Sequence, residues 1–297
     1  MNRIDIEGRL YMTDEIPEDF VIYTEWPEFM SAEMMPSWTR ARYVGSSPRG
    51  MRRGIGPLVI ESYVSDKEPT IGAGPGRIVI WQRLSRSDVP QGWHTNRLIS
   101  KIASGKPYRE GFSLIESDES HFLRWAPTER ARRRHWHKDL LNKKYRIDTV
   151  TGGEFWTAYK TSSTWKKIER FNRMTLHQLL NFYADHGTNL VCRVMRRIDT
   201  GEIVAGMSTL NSPTCRGSYY FIGFLCDSGR ADHAMTGLMD DWFTYASEKG
   251  IRYVDLGHFW GKDSPHNWKG FSDFKAKFVT HYIDFPPILI RLVRRSS

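Results

Sequence analysis

The order of elements predicted between residues 190 and 257 constrains the fold of this 297-residue chain most strongly. The predicted elements are a strand at 190–198, a turn at 199–201, a returning strand at 202–210, an apolar strand at 218–225, an amphipathic helix at 235–249 and a strand at 251–257. Strands are also predicted at 280–285 and 288–293. A hairpin, a third strand, an amphipathic helix and a fourth strand follow one another, so strands and helices share this region of the chain. The sequence therefore indicates an α+β fold.

Helices are predicted upstream of this succession as well. One begins at Pro127, because a proline suits the first turn and no breaker follows it. Another follows a strand at 145–150; Thr151 is its expected cap and Glu154 its third residue, which is the pattern of a capping box. A further helix at 175–186 is expected to end before a glycine.

The first part of the chain differs in character from the rest. Residues 1–117 show only short β-type runs between prolines and glycines, among them 56–64 and 77–81. We therefore expect a loop-rich N-terminal region at 1–117 and a larger domain at 118–297.

The charge of the chain favours anionic ligands without selecting one. There are 43 Lys and Arg residues against 34 Asp and Glu, which gives a formal net charge of +9. Nucleic acid, acidic lipid, phosphorylated carriers and coenzyme A are all attracted by such a surplus, and the same surplus also serves solubility.

Cysteine usage and the N-terminal sequence indicate a cytoplasmic protein. The three cysteines, Cys192, Cys215 and Cys226, form no C-x-x-C pair, so neither a disulfide framework nor a zinc cluster is expected. The N-terminus carries charges at once and has no apolar core of signal-peptide length. No stretch approaches the ~20 apolar residues that span a bilayer, so no integral membrane segment is expected.

Three stretches resemble the GNAT acyltransferases and, more narrowly, the Fem-type peptidyltransferases. They are the hairpin at 200–206, the helix and strand at 238–257 that end in Asp255-Leu256-Gly257, and the segment 270–278 with its pattern Gly270…Phe274-Lys275-x-x-Phe278. The resemblance implies a GNAT fold, in which helices flank a mixed central sheet. It also permits a tandem arrangement, with the N-terminal half as a degenerate second copy.

The resemblance implies acyl or aminoacyl transfer from an activated carboxyl donor to an amine acceptor. The donor would be an aminoacyl-tRNA or an acyl-CoA, and the acceptor a small molecule or a peptide such as a cell-wall precursor. A CoA-dependent N-acetyltransferase acting on a small amine is the alternative within the class. By resemblance, Lys275 lies beside the transferred carbonyl and offsets its developing negative charge, whereas Lys277 is expected to be solvated.

The other candidate site residues lie near the third and fourth strands of this succession and join Phe274 and Lys275 of the segment 270–278. The full set is Lys275, Asp255 and His258 as catalytic residues, Phe274, Arg230, Tyr220 and Trp260 as substrate-binding residues, and Gly229 with Arg230 as cofactor-binding residues. Asp255 ends a strand, where it is either a general base or a structural hydrogen-bond partner. His258 is a candidate proton relay.

Gly229 and Arg230 occupy the place where CoA-using GNAT proteins carry a glycine-rich loop that binds pyrophosphate at a helix N-terminus. The full motif is incomplete here. This favours a Fem-like enzyme over one that uses CoA.

A basic cluster gives a rival interpretation. It comprises Arg130, Arg132, Arg133, Arg134, Lys138, Lys143, Lys144 and Arg146. Arg130, Arg134 and Lys138 are spaced to share one helical face, which would follow a phosphate backbone. The alternative is a catalytically silent GNAT-like module that binds nucleic acid through this helix.

Overall fold

A computed structural model of the chain describes residues 3–6, 9–12, 59–64, 68, 77–82, 88–95, 108–167, 176–177, 180–181, 189–212, 217–259, 269–285, 287 and 289–294. The chain divides into two compact units. The first comprises Met1–Glu110, His258–Ser272 and Tyr282–Ser297, and the second comprises Gly111–Gly257 and Asp273–His281.

The described strands form three sheets. In chain order they are β1 Arg3–Ile6, β2 Arg9–Met12, β3 Val59–Val64, β4 Arg77–Gln82, β5 His94–Thr95, β6 Tyr108–Leu114, β7 Tyr145–Val150, β8 Asn189–Arg197, β9 Ile203–Ser212, β10 Gly217–Leu225, β11 Tyr253–Phe259, β12 His281–Phe285 and β13 Leu289–Val293. The largest sheet has seven strands in the order β12-β6-β11-β10-β9-β8-β7. Strands β7 to β10 pair antiparallel in succession, and β10 runs parallel to β11. The predicted mixed sheet is confirmed.

The described helices fall between these strands. They are α1 Pro127–His135, α2 Gly152–Thr161, α3 Ser163–Lys167, α4 Asp227–Arg230, α5 Ala234–Glu248 and α6 Lys269–Lys275, with a π-helical turn at Trp136–Leu140 that continues α1. The described residues of the helix predicted at 175–186 are helical. None of the helices in the described ranges has the length and apolar character needed to cross a membrane.

Local signals place several of these boundaries. Pro127 begins α1 as predicted. The capping box of α2 is also confirmed: the Glu154 amide donates to the Thr151 hydroxyl at 3.2 Å, and the Thr151 amide donates to the Glu154 carboxylate at 3.0 Å. Gly201 in the hairpin turn has φ 72° and Gly250 after α5 has φ 66°, a region that glycine enters without steric cost.

Helices α2 and α5 cover opposite faces of the seven-stranded sheet. Val194 of β8 packs in the cluster built around Phe155 and Tyr159 of α2. Its neighbour Met195 points to the other face, because adjacent strand residues alternate. There it contacts α5 so closely that a Cβ on Gly237 would lie 2.8 Å from the Met195 methyl carbon. Both faces of the sheet are therefore buried by helices.

Strands β10 and β11 form a fork. Their parallel register covers only Gly217↔Tyr253, Ser218↔Val254 and Tyr219↔Asp255. Beyond this point β10 stays paired with β9 as far as Leu225↔Ala205, while β11 continues to Phe259. The two strands thus separate after Tyr219 and Asp255, so backbone groups at the start of the fork face each other across a gap.

A β-bulge in β10 lies at the opening of this fork. The register with β9 shifts between Tyr220 and Ile222. Ser218, before the bulge, faces α5, since its hydroxyl accepts a hydrogen bond from the indole of Trp242 at 2.7 Å. Phe224, after the bulge, faces α2, where its ring contacts Phe155 at 5.3 Å. The bulge therefore reverses the alternation of the strand where it leaves β11.

The first unit contains a four-stranded sheet in the order β3-β4-β13-β5. Strand β3 pairs parallel to β4, and β13 pairs antiparallel to both β4 and β5. Val79, Trp81, Trp93 and Leu289 form its buried cluster. The strand predicted at 288–293 is confirmed by β13.

Candidate active site at a strand fork

Lys275 lies at the fork between β10 and β11. It is the last residue of α6 and is 3% exposed. Its ammonium donates a hydrogen bond to the carbonyl of Leu256, the first residue of β11 beyond the paired segment. It also lies 5.8 Å from the centre of the Tyr220 ring, and Tyr220 is the first residue of β10 beyond that segment. A buried positive charge thus contacts both arms of the fork.

The turn after α6 fixes the backbone that carries Lys275. The Phe278 amide donates to the Lys275 carbonyl at 3.0 Å, and the Phe278 ring packs edge-on against Trp125 with 4.7 Å between ring centres. Phe274 contacts the same Phe278 ring at 5.0 Å. The two phenylalanines of the motif therefore anchor this segment in the aromatic core, which explains why a short helix can hold a lysine at a defined place.

The neighbouring lysine has a different environment. The Lys277 side chain is 37% exposed and its ammonium lies 3.3 Å from the carboxylate of the fully buried Glu129. Glu129 is also bound by Arg132 and by the Thr236 hydroxyl, the latter at 2.7 Å. Lys277 therefore takes part in a network that joins α1, α5 and the turn after α6, whereas the Lys275 charge points into the fork.

The hydroxyl group of Tyr220 and the rest of the residue have different environments. Burial raises the pKa of its hydroxyl well above the ordinary value. That hydroxyl rests against Gly223, where a Cβ would lie 1.9 Å from the phenolic oxygen. The residue as a whole is only partly buried. The hydroxyl end of Tyr220 is therefore enclosed, while another part of the residue reaches the surface.

Asp255 is held by its own strand. It is 6% exposed, and its Oδ1 accepts a hydrogen bond from the Gly257 amide at 2.6 Å. Gly257 adopts φ 71°, which favours glycine. Of the two roles the sequence left open for Asp255, this geometry supplies the structural hydrogen bond.

Tyr219 and Tyr253 meet on the same strand pair as Asp255. Their hydroxyls lie 2.9 Å apart. Because Tyr219 stands opposite Asp255 in the register, and residues two apart in a strand share a face, these three side chains lie on one face of the sheet. Tyr220 points to the other face.

Gly229 and Arg230 lie at the far end of β10. Tyr220 and Leu225 are five residues apart, about 17 Å along an extended strand. Gly229 is buried, and a Cβ there would lie 2.7 Å from the Val204 carbonyl oxygen. Arg230, with a side chain 55% exposed, pairs with Asp227 at 3.3 Å. The structure thus brings Lys275, Tyr220 and Leu256 together and leaves Gly229 and Arg230 at a distance from them.

Two of the predicted residues are not described at the side-chain level. His258 lies in β11, but its side chain is outside the described residues, and Trp260 lies outside them entirely. Their predicted roles stay predictions. Among the described residues, no group of three His, Cys, Asp or Glu side chains could hold a metal ion.

Sequence reasoning missed the Leu256 carbonyl and the hydroxyls of Ser163 and Thr164. Ser163 donates to the Leu225 carbonyl at 2.7 Å, and Thr164 accepts from the Leu225 amide at 3.1 Å. No local pattern identifies such groups, since each contact joins segments that are distant in the sequence.

Half of the basic cluster is paired with acidic partners. Arg132 pairs with Glu129, Arg133 with Asp240, Lys144 with Asp232 and Arg146 with Asp148. Four cations form no ion pair with any described acidic residue: Arg130, Arg134, Lys138 and Lys143, the last of which donates to the Lys138 carbonyl. We call the first three the α1 cation row. Arg134 and Lys138 are exposed and Arg130 is partly exposed. This row is the part of the cluster able to meet an external anion.

Comparison with known proteins places the fold. No protein-family model matches the sequence, and no curated protein matches it significantly. The crystal structure of FemX superposes with a TM-score of 0.55 at 12% identity, over 73% of this chain and 72% of that chain. A tandem GNAT protein from the clavulanic acid biosynthesis pathway gives 0.44 at 10% identity, over 74% of this chain and 65% of that one. L-PGS from Bacillus licheniformis gives 0.42 at 14%, over 72% and 67%.

The mixed sheet, its fork and the FemX superposition together define a GNAT-like fold. The fold predicted from residues 200–206, 238–257 and 270–278 is confirmed. At this level of identity the likeness concerns architecture, and chemistry has to be argued from the site.

Proposed function

We propose that the chain transfers an acyl or aminoacyl group from an activated carboxyl donor to an amine acceptor, with the reacting carbonyl bound at the fork between β10 and β11. The observation that carries this proposal is the buried ammonium of Lys275, which touches both arms of the fork. A buried charge is costly to fold, so its presence at an opening between strands indicates a functional site.

The chemistry needs positioning and charge stabilisation. The amine nitrogen attacks the donor carbonyl carbon and forms a C–N bond, while the carbonyl oxygen becomes negatively charged. The carbonyl re-forms as the bond from that carbon to the leaving oxygen or sulfur breaks, and the proton lost by the amine neutralises the leaving group. Lys275 supplies a positive charge in a low-dielectric environment, where its effect on the oxyanion is much stronger than in water.

The donor and acceptor follow from the resemblance to Fem-type enzymes. We propose an aminoacyl-tRNA or another activated ester as donor, and a small-molecule amine or a peptide such as a cell-wall precursor as acceptor. Acyl-CoA with a small amine is the alternative. The region from residue 118 onward is proposed as the transferase domain, with Phe274 and Tyr220 lining the acceptor side.

The test is transfer of a labelled acyl group to a panel of amines. Donors are mixed aminoacyl-tRNA and acetyl-CoA, each labelled in the acyl group, and the enzyme variants are Lys275→Gln and Lys249→Gln. Lys249 is an exposed lysine just after α5 and serves as the matched control. Loss of an oxyanion-stabilising group reduces kcat by ~10²–10³-fold, so Lys275→Gln should fall by about that factor and Lys249→Gln should not change.

Two outcomes would contradict the proposal. One is the absence of transfer from either donor to any amine by the wild-type protein. The other is equal turnover by the two variants, which would remove Lys275 from the mechanism.

One observation keeps the rival binding function open. The α1 cation row has no acidic partner among the described residues, in contrast to Arg132, Arg133, Lys144 and Arg146. We propose nucleic-acid binding through this row as the second candidate, as a catalytically silent alternative. Absence of transfer from every donor by the wild-type protein, together with salt-sensitive RNA binding, would favour it.

A further inference from the structure

The free edge of β10 is closed at its outer end by α3. Leu225 is the last residue of β10, and both of its backbone groups are bound by side chains of α3. Its carbonyl accepts from the Ser163 hydroxyl at 2.7 Å, and its amide donates to the Thr164 hydroxyl at 3.1 Å. In an antiparallel pair the two backbone groups of one residue point to the same side, so this is the side away from β9. It is the edge that β11 leaves at the fork.

Helix α3 is firmly anchored at this place. Its Trp165 packs edge-on against the rings of Trp156 and Tyr159, with ring centres 5.3 and 5.5 Å apart. The fully buried Ser162 accepts from the Trp165 amide at 3.2 Å and donates to the Tyr159 carbonyl at 2.7 Å. The two hydroxyls on Leu225 are therefore held by a packed core and belong to the folded architecture.

The segment after β10 is equally occupied by the chain itself. Arg230 reaches the Ser163 hydroxyl at 3.5 Å and pairs with Asp227. Asp232 accepts from Lys144 and from the Tyr145 hydroxyl, the latter at 2.6 Å. The acidic side chains Asp227 and Asp232 thus pair with the cations Arg230 and Lys144, and the buried Gly229 packs on Val204.

We propose that α3 fills the part of the β10 edge on which an amide-bearing acyl arm would pair, and that Ser163 and Thr164 thereby determine which donors are refused. An acyl-CoA carries such an arm, with two amides behind the thioester and a pyrophosphate beyond them. This chain satisfies Leu225 with its own hydroxyls, and beyond it pairs the cations Arg230 and Lys144 with its own carboxylates. A donor can then pair with β10 only between the fork and Leu225, so the protein groups that recognise the rest of the donor must lie elsewhere.

This inference rests on the proposed function in one respect, which is that the donor carbonyl is bound at the fork. The inference itself concerns only which donors bind at the edge of β10. It can therefore be measured without any turnover.

Calorimetric titration with acetyl-CoA tests it directly. The proteins are the wild type, the double variant Ser163→Ala/Thr164→Val, and Thr161→Val as control. Thr161 also carries a hydroxyl near the end of α2, but it donates to the Ala158 carbonyl at 2.8 Å and does not touch β10. The wild type and the control should give no binding heat up to about 1 mM ligand, and the double variant should bind at least ~tenfold more tightly than either.

Two results would overturn the proposal. Micromolar binding of acetyl-CoA to the wild type would show that the edge is open. A double variant that keeps the wild-type melting temperature but binds no more tightly than Thr161→Val would show that the two hydroxyls exclude nothing.

Amide exchange at Leu225 provides a second measurement that needs only a single substitution. The wild-type amide should be protected, and Thr164→Val should exchange at least ~tenfold faster. Equal exchange in the two proteins would also contradict closure of the edge by α3.

The failure of this proposal differs from the failure of the proposed function. If the wild type binds acetyl-CoA and transfers its acetyl group in a manner that depends on Lys275, closure of the edge is wrong and acyl transfer stands. If no donor supports transfer but the wild type refuses acetyl-CoA and the double variant accepts it, the opposite holds.

Discussion

Replacing Lys275 with methionine is expected to separate stability from activity. The substitution removes a charge that is 3% exposed and keeps an unbranched side chain of similar reach. Burial of an ammonium group costs several kcal/mol, and this cost disappears in the variant. The Leu256 carbonyl loses its donor, which costs about 1–3 kcal/mol. These two effects oppose each other, so the free energy of unfolding should change by less than about 2 kcal/mol in either direction.

Thermal denaturation followed by circular dichroism measures this effect. The second unit has about 150 residues, and at that size 1 kcal/mol shifts Tm by about 2–4 °C. Lys277→Met is the matched control, two residues away. It leaves the buried Glu129 without one of its cations, so its Tm should fall.

The reasoning about a functional lysine would be refuted by a clear loss of stability. A decrease of more than ~2 kcal/mol in Lys275→Met would mean that the ammonium holds the fork together as a structural element. A stable variant without transferase activity is the expected combination, because active sites often retain groups that cost stability.

Three further predictions concern other parts of the second unit. Burial lowers the pKa of the His121 imidazole, so the folded state keeps it neutral while the unfolded chain protonates below about pH 6.5. The contribution of His121 to stability is therefore fully present above that pH and is lost below it. Between about pH 7 and about pH 5, the Tm of His121→Asn should decrease less than the Tm of the wild type; equal decreases would contradict this. Gly223→Ala should destabilise by about 1–3 kcal/mol, because its Cβ would meet the Tyr220 hydroxyl at 1.9 Å, and adding Tyr220→Phe should recover part of the loss in a double-mutant cycle. Gel shifts with RNA across a salt series should give a log–log slope of about −2 to −3 if the α1 cation row makes three phosphate contacts, and alanines at all three positions should abolish that slope; an absence of binding at low salt would exclude the row as an RNA site.

Local interactions made much of the fold predictable. The capping box of Thr151 and Glu154, the turn that needs Gly201 and the helix end at Gly250 each depend on residues within a few positions of one another. Periodicity likewise predicted the hairpin of β8 and β9 and the amphipathic α5. The resemblance of residues 270–278 nominated Lys275 because the two phenylalanines repeat a family pattern.

The sheet to which a strand belongs could not be predicted in the same way. Both C-terminal strands were expected, yet β12 joins the seven-stranded sheet and β13 joins the four-stranded sheet. One partner of β13 is β4, which lies about 200 residues earlier in the sequence. Strand pairing over such a distance depends on the whole chain, because the pattern of one strand is compatible with many partners.

The sequence by itself determined the β8–β9 hairpin, the helices α1, α2 and α5 with their boundary signals, and the identity of one candidate lysine, because these depend on neighbouring residues and on a repeated motif. Only the tertiary structure decided that the ammonium of Lys275 meets the Leu256 carbonyl, nineteen residues away, at the place where two strands separate. It also decided that Ser163 and Thr164 occupy the backbone of Leu225, about 60 residues later. Hydrogen bonds of this kind form when packing brings distant backbone groups within reach of a side chain, so no local pattern records them.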